Sequence, residues 1–258
     1  MFVDSHCHLE MEDYDKDRQS VIDRGVKEGV SYMLTVGTEE RYFSRVAQIV
    51  DSNPTVFGAI GIHPHNAKDY SPALEESIRK HLAHPKIVGY GEIGLDFFRN
   101  HSPREAQLEA FRRQIGLARE AGLPIIIHSR NAKRETLEVL EEAGLGDHKT
   151  VIHCYSYDLA TAKKLLGMGR FYLSIPGTVT YKNTGLTDIV RHVPLDRLLS
   201  ETDAPFLTPE PKRGRRNEPA YVRLVVETIA RIKQQPVEEV ASALAATFSD
   251  IFLDKGRK

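Results

Sequence analysis

The chain has 258 residues, of which 35 are basic and 36 acidic, so its formal net charge is −1. This balance excludes a strongly cationic coat, and a nucleic-acid substrate would need a local basic patch or the charge of a bound metal. Two cysteines, Cys7 and Cys154, cannot build a disulfide framework and indicate a reducing compartment. The N-terminus lacks a signal-peptide pattern, and no apolar run approaches the ~20 residues of a membrane span. We therefore expect a cytoplasmic protein with no membrane partner.

Eight short apolar segments, separated by amphipathic ones, are predicted to be strands. In chain order they are Phe2–His8, Tyr32–Val36, Val56–His63, Ile87–Ile93, Pro124–His128, Thr150–Cys154, Phe171–Ile175 and Leu198–Thr202. The predicted helices are Arg18–Glu28, Glu40–Asp51, a helix with Ser71 as its N-cap, a helix ending near Ala121, Lys133–Ala143, Leu159–Leu166, Ala220–Lys233 and Val237–Phe248. The helix that ends near Ala121 is predicted to begin with a capping box, Ser102-Pro103-Arg104-Glu105.

Several predicted strands are apolar on both faces, which indicates a parallel sheet covered by helices. Eight strand–helix units in a chain of this length favour a closed (β/α)8 TIM barrel over an open doubly wound sheet. No linker or repeat divides the chain, so a single domain over residues 1–258 is expected. The first strand is not followed by Gly-x-Gly-x-x-Gly, which excludes the usual dinucleotide site, and no organic cofactor is expected.

Histidines and acids lie at the ends of five predicted strands. These residues are His6, His8, Glu92, His128, His153 and Asp203. The first two are separated by one residue, so in an extended strand both side chains point to one face. Because the carboxyl ends of barrel strands meet at one mouth, the six side chains are expected to converge there. Six nitrogen and oxygen ligands exceed the three or four that one catalytic cation takes from a protein, so two metal ions are expected.

Three other residues are candidates for substrate binding. Arg130 has the same strand parity as His128, and would grip a phosphate oxygen or form a salt bridge with a neighbouring loop. His63 closes the third predicted strand, as a hydrogen-bonding group near the ligands or as a core histidine. Arg213 lies in the basic run 212–216, which is either a solvated face or a contact for a nucleic-acid backbone.

Four further residues have expected supporting roles. Glu201 has inward parity but lies deeper than Asp203, so it is expected to support a ligand and not to bind metal. Glu218 is expected to hold the 212–216 loop through a salt bridge. Cys7 and Cys154 are predicted to point away from the mouth and to serve in packing.

These motifs together resemble the TatD family of metal-dependent hydrolases, usually described as TatD deoxyribonucleases, within the amidohydrolase-like barrels. The resemblance covers nearly the whole chain. It rests on Asp4-Ser5-His6-Cys7-His8, Gly61-Ile62-His63-Pro64, Gly91-Glu92-Ile93-Gly94-Leu95-Asp96, Ile127-His128-Ser129-Arg130, His153-Cys154, Ser200-Glu201-Thr202-Asp203-Ala204-Pro205 and Arg213-Gly214-Arg215-Arg216-Asn217-Glu218-Pro219. It implies His6, His8 and Asp203 on one metal, His128 and His153 on the other, and Glu92 between them. Relatives among the amidohydrolases often use a modified lysine at the end of strand four, so Glu92 favours the TatD branch.

Two positions depart from the family pattern. Tyr157 stands where the family usually has a glycine, and it would reshape the rim of the pocket. Ser249 stands where the family tends to have an asparagine near the end of the chain, far from the ligands, and it would affect helix packing.

The resemblance implies hydrolysis of DNA phosphodiesters with two divalent ions (Zn, Mg or Mn). Asp203 and Glu92 are the predicted catalytic residues, with Asp203 accepting the proton of the attacking water. The near-neutral charge favours single strands or strand ends as the DNA partner. The alternatives are a dinuclear hydrolase of a small amide, ester or lactone, and a non-catalytic binding barrel.

Overall fold

The computed structural model describes residues 1–254, in which eight strands form one sheet in the order β1 to β8. All neighbouring strands pair in parallel. The strands are β1 Phe2–Cys7, β2 Val30–Gly37, β3 Val56–Ile60, β4 Ile87–Asp96, β5 Ile125–Arg130, β6 Thr150–Ile152, β7 Phe171–Ile175 and β8 Leu198–Ser200. The α-helices of the described chain are α1 Arg18–Lys27, α2 Glu40–Ser52, α3 Pro72–Leu82, α4 Arg104–Ala121, α5 Lys133–Ala143, α6 Leu159–Gly167, α7 Leu186–His192, α8 Val222–Lys233 and α9 Val237–Phe248. None of the helices within residues 1–254 has the length and apolar character needed to cross a membrane.

The sheet closes between β1 and the segment that follows β8. Cys7 and Ala204 form a parallel bridge, and the His8 N–H donates to the Ala204 carbonyl at 2.8 Å. The Asp203 N–H donates to the His6 carbonyl at 2.9 Å. The predicted (β/α)8 TIM barrel is therefore confirmed, and the seam that closes it runs beside three of the predicted metal ligands.

The interior of the barrel is filled with apolar side chains at the end opposite the mouth. Every strand contributes to this inner cluster, which contains Val3, Leu34, Val36, Ala59, Val88, Ile126, Val151, Tyr172 and Leu199. Phe248, Ile251 and Phe252 cover it from outside the sheet. Ser249 begins a single π-helical turn, Ser249–Leu253, which carries two of these side chains. The departure at Ser249 thus lies at the closed end of the barrel, away from the mouth, beside the side chains that cover the inner cluster.

Truncating Phe248 to alanine should destabilise the protein strongly. Phe248 is fully buried, and its ring lies 5.8 Å from that of Tyr32 and 5.1 Å from that of Phe252. Loss of a buried phenylalanine costs about 3–5 kcal/mol of unfolding free energy. The same substitution at exposed Phe98 should change it by no more than about 0.5 kcal/mol. Urea denaturation of both variants measures the difference, and equal losses would contradict this packing account.

Some predicted boundaries differ from the structure. β3 ends at Ile60, because Pro64 starts a short 3-10 segment for which His63 is the N-cap. β4 instead continues to Asp96, since Gly94 lets it approach β5: a Cβ there would lie 2.0 Å from the His128 carbonyl oxygen. β6 and β8 end before His153 and Asp203, which therefore lie on the loops directly after these strands.

Two helix predictions also differ from the structure. The capping box at Ser102 was wrong: Pro103 is the N-cap of α4, and the Ser102 hydroxyl donates to the His65 carbonyl at 2.7 Å. This hydroxyl also accepts from the Lys68 N–H at 3.1 Å, so it fastens the loop after β3 and not the helix. Helix α7, Leu186–His192, was not predicted, because its seven residues carry too short a periodic pattern. The helix capped by Ser71 was predicted correctly, and its hydroxyl accepts from the Leu74 N–H.

Candidate metal centre

The barrel brings the six predicted ligands together at its mouth. His6, Glu92 and His128 lie on β1, β4 and β5, and the other three lie just beyond β1, β6 and β8. The donor atoms of His6, His8 and Asp203 all lie within 4.8 Å of one another. Residues separated by up to 197 positions in the sequence are thus close enough to share cations.

Glu92 lies at the centre of this cluster. Its Oε2 lies 3.4 Å from His6 Nε2 and 3.9 Å from His8 Nε2. Its Oε1 lies 2.6 Å from His128 Nδ1 and 3.5 Å from His153 Nε2. Each carboxylate oxygen therefore faces its own group of imidazoles, an arrangement suited to a carboxylate between two cations.

Asp203 lies on the side of the cluster nearest β1. Its Oδ1 is 3.4 Å from His8 Nε2 and 3.9 Å from the Nε2 atoms of both His6 and His153. The side chain of Asp203 is 13% exposed, against 4% for Glu92, so Asp203 is the carboxylate that meets solvent. Its backbone adopts a left-handed φ of 56°, a strained conformation for a residue with a Cβ.

The carboxylate of Asp4 holds the segment that carries Asp203. It accepts from the Thr202 hydroxyl at 2.6 Å and from the Thr202 N–H at 2.9 Å. Asp4 is fully buried on β1, so these bonds tie the loop after β8 to the first strand. The Asp-x-His-x-His sequence thus supplies both ligands and the anchor for a third.

Acceptors behind three of the histidines determine which ring nitrogen is free. His8 Nδ1 donates to the Val36 carbonyl at 2.9 Å, and His153 Nδ1 donates to Glu201 Oε2 at 3.0 Å. His128 is reversed, because its Nε2 donates to Asp96 Oδ2 at 3.2 Å. When each of these rings is neutral, its opposite nitrogen presents a lone pair to the cluster, and this is the state that binds metal. The hydrogen bond from His153 to Glu201 agrees with the expected supporting role of Glu201.

The charges in the cluster favour a cation. Burial alone would raise the pKa of Glu92, but His153, His63 and His128 hold it well below its ordinary value. Burial opposes a proton on His153, yet Glu201 and Glu92 raise its pKa to about 9. The carboxylates thus create a field that holds positive charge among the imidazoles. Divalent cations with oxygen and imidazole ligands fit both the donors and the field.

Comparison with known proteins decides the family. The family model described as TatD related DNase matches residues 3–253. The chain belongs to the TatD family. The predicted resemblance is thereby confirmed, and the protein is a metal-dependent hydrolase.

Individual TatD relatives match along almost the entire chain. The uncharacterized metal-dependent hydrolase YabD of Bacillus subtilis is 40% identical over 253 residues, covering 98% of this chain and 99% of that protein. The 3'-5' ssDNA/RNA exonuclease TatD of Erwinia amylovora is 32% identical over 256 residues, covering 96% and 98%. The crystal structure of YJJV, a TatD homolog from Escherichia coli K12, superposes with a TM-score of 0.91 at 29% identity and 98% coverage of both chains.

His63 lies within the metal centre, where it is placed to donate a hydrogen bond. Its Nε2 is 3.6 Å from Glu92 Oε1, and its Nδ1 accepts from the His65 N–H at 3.1 Å. Burial and the neighbouring His128 lower its pKa well below the usual value, so the ring is neutral. With Nδ1 accepting, the single proton is on Nε2, which then points into the centre as a donor.

Arg130 is exposed at the end of β5, and its guanidinium lies 4.1 Å from the centre of the Phe98 ring. The basic run after β8 divides between two places. Arg216 forms an ion pair with Asp17 at 2.6 Å, whereas exposed Arg213 lies over the Tyr181 ring at 4.6 Å.

Glu218 forms the expected salt bridge, and its partner is Arg24 of α1. The Glu218 carboxylate lies 2.6 Å from the Arg24 guanidinium, so it fixes the end of the loop after β8 to α1. Glu218 is the N-cap of the short 3-10 segment Pro219–Tyr221, which packs against α1, so its side chain is directed to that helix.

The two cysteines have different positions. Cys7 is buried and its thiol donates to the Leu34 carbonyl at 3.4 Å, as expected for packing. The prediction for Cys154 was wrong, because its Sγ lies within 4.8 Å of donor atoms of His153 and Asp203. β6 ends at Ile152 and Cys154 has a left-handed φ of 47°, so strand parity no longer applies there.

Tyr157, the first departure from the family pattern, lies on the loop after β6 and packs against the outer apolar core. Its hydroxyl is hydrogen bonded to the Ser129 hydroxyl at 2.7 Å, next in sequence to His128. Ser129 also contacts the Thr136 hydroxyl at 2.6 Å. Tyr157 therefore links the loop after β6 to the end of β5.

Asp96 and Glu10 are supporting residues that the sequence reasoning missed. Asp96 binds His128 and also His65 at 3.0 Å, and Glu10 lies 3.1 Å from His8 Nδ1. The signal was available: Asp96 follows Glu92 by four residues on one strand, and Glu10 continues the alternation of His6 and His8.

Replacing Asp96 by asparagine should weaken metal binding by about 10–100-fold, the range for loss of a partner behind a ligand histidine. The asparagine amide can turn its NH2 group toward His128 Nε2. The imidazole ring is then no longer held with Nδ1 pointing into the centre. Calorimetric titration of metal into the metal-free protein measures the affinity. Asp196→Asn, which changes an exposed carboxyl in the 3-10 turn Leu195–Arg197 before β8, is the matched control and should bind like wild type. Unchanged affinity in D96N would contradict the assigned orientation of His128.

Proposed function

We propose that the protein is a divalent-metal-dependent deoxyribonuclease that hydrolyses phosphodiester bonds. The observation that carries this proposal is Glu92, whose two oxygens face two separate groups of imidazole nitrogens. His6, His8 and Asp203 would hold one ion, His128 and His153 the other, and Glu92 both. Divalent ions held there supply Lewis-acid polarisation of a phosphoryl oxygen and a water of lowered pKa.

Asp203 is the proposed proton carrier. It is the more exposed of the two central carboxylates, and His8 and His153 outweigh its burial and lower its pKa, so it is ionised and able to accept a proton. Water attacks phosphorus and gives its proton to Asp203, and the phosphorus–oxygen bond to the leaving group breaks. The same proton then passes to the leaving oxygen, so the carboxylate is regenerated.

His63 and Arg130 are the proposed phosphate contacts. The Nε2–H of His63 points into the centre, where a non-bridging phosphate oxygen can accept it. Arg130 lies at the rim, two residues beyond His128, and can pair with a phosphate on the neighbouring nucleotide. Arg213 is exposed on the loop after β8 and is proposed to contact the backbone farther out.

A nucleic-acid substrate is supported by this distribution of charge and by one relative. The Erwinia amylovora protein is named as an exonuclease of single-stranded DNA and RNA, which extends to this chain as a proposal. A net charge of −1 does not suit a long duplex footprint, so single strands or strand ends are the proposed form.

The test is a nuclease assay with metal titration. Protein freed of metal with a chelator is incubated with 5'-labelled single-stranded DNA, duplex DNA or RNA and increasing Mg2+, Mn2+ or Zn2+, and product lengths are read on a gel. We expect shortening of the single strand that depends on metal. Absence of cleavage with all three metals, with hydrolysis of an ester or lactone in a parallel assay, would contradict the proposal.

A further inference from the structure

Two exposed phenylalanines lie at the mouth of the barrel. Among the described residues the large apolar side chains that remain exposed are Met1, Val26, Phe98 and Phe206. Phe98 is 54% exposed on the loop after β4, and Phe206 is 49% exposed on the loop after β8. Both loops leave the carboxyl ends of strands, and the two rings are therefore candidates for ligand contact.

Hydrogen bonds fix Phe98 relative to the metal centre. Its N–H donates to Asp96 Oδ1 at 3.0 Å, while the other oxygen of this carboxylate holds His128 at 3.2 Å. The Arg99 N–H donates to the same Oδ1 at 2.8 Å. One buried carboxylate thus orients a proposed metal ligand and also the turn that presents the ring.

Hydrogen bonds also fix the loop that carries Phe206, which lies beside the ligands His8 and Asp203. Its N–H donates to the Asp203 carbonyl at 2.8 Å, and its own carbonyl accepts from the Asn217 amide at 2.6 Å. The ring lies edge-to-face with His8, with centroids 6.2 Å apart. Each of the two proposed ion positions therefore has a loop with an exposed ring that is anchored to a ligand or to the partner of a ligand.

We propose that Phe98 and Phe206 stack against the bases of the nucleotides that flank the scissile phosphate. This rests on the proposed nuclease function and assigns the residues that hold the substrate. Arg130 lies 4.1 Å from the Phe98 ring, with Arg99 at 5.7 Å, so a phosphate next to a stacked base meets positive charge. Bases within a duplex have both faces covered by neighbours, whereas a single strand offers its base faces to aromatic rings. The rings thus select unpaired strands with little regard to sequence.

The experiment measures kcat and KM for a metal-loaded enzyme on two single strands. One is an ordinary oligonucleotide, and the other carries abasic tetrahydrofuran residues at its last three positions. Phe98→Ala and Phe206→Ala are compared with Phe98→Tyr and Phe206→Tyr, which keep an aromatic face, and with Val26→Ala, which removes an exposed apolar group on α1. Base–aromatic stacking corresponds to roughly tenfold or more in affinity per ring.

We expect each alanine variant to raise KM on the ordinary strand about tenfold, while the tyrosine variants and V26A match wild type. On the abasic strand the alanine variants and wild type should have similar KM values. Wild-type KM in both alanine variants, or equal losses on both strands, would overturn the stacking assignment. A wild-type enzyme that cleaves neither strand would instead overturn the nuclease function and the stacking with it. Concentration-dependent sedimentation that F98A or F206A abolishes would assign the rings to self-association and also overturn the proposal.

Discussion

Replacing Asp203 by asparagine is expected to lower kcat by about a thousandfold, within the range for loss of general acid–base catalysis. Asparagine keeps an oxygen in the place of Oδ1, which lies 3.4 Å from His8 Nε2, but a neutral amide does not accept the proton of water. The fold should persist, because the hydrogen bonds that hold this segment come from Asp4 and from backbone groups.

Single-turnover cleavage of labelled single-stranded DNA measures this effect, with circular dichroism to verify the fold. Glu210→Gln supplies the control, since Glu210 is an exposed carboxyl on the same loop. That variant should cleave at the wild-type rate. Full nuclease activity in D203N would contradict the role of Asp203 as proton carrier.

Replacing Glu92 by glutamine should prevent the centre from holding two ions. Glutamine has one carbonyl oxygen, so it faces only one of the two imidazole groups that Oε1 and Oε2 now face at 2.6 Å and 3.4 Å. Its NH2 group would point at the other set of nitrogens. We expect affinity for the second ion to fall by more than about a hundredfold, beyond the loss for a residue that only supports a ligand.

Metal content after dialysis, measured by plasma mass spectrometry, tests the role of Glu92. Wild type should retain two ions per chain and E92Q at most one. Glu105→Gln, which changes an exposed carboxyl on α4, should retain as many as wild type. Two tightly held ions in E92Q would show that another group joins the two positions.

The sequence alone predicted the barrel and the position of each candidate ligand. The reason is physical: parallel strands place their carboxyl ends at one mouth, so a histidine or acid after an apolar run has a predictable location. The strand ends were less predictable. β4 is longer than predicted because Gly94 allows it to continue beside β5. β3 is shorter than predicted because Pro64 begins a 3-10 segment, so the strand ends before His63.

Side-chain partners across the barrel were the least predictable part. Strand parity placed Cys154 outside, but the strand had ended two residues earlier and a left-handed φ turned the backbone. Glu218 pairs with Arg24, which lies 194 residues away in the sequence, and no local sequence pattern predicts this partner. Asp96 supports His128 only because the ring is turned with Nδ1 toward Glu92 and Nε2 toward Asp96. This ring orientation is set by neighbouring groups in the folded protein and has no signal in the sequence.

The most direct test of the two-metal nuclease is a stepwise titration of metal-free protein with Mn2+, in which bound metal and cleavage of single-stranded DNA are measured in the same samples. If Glu92 joins two ions in one catalytic centre, cleavage should stay near background through the first equivalent and rise in proportion to the second. Full activity with one ion bound per chain, or two ions bound without cleavage, would contradict it.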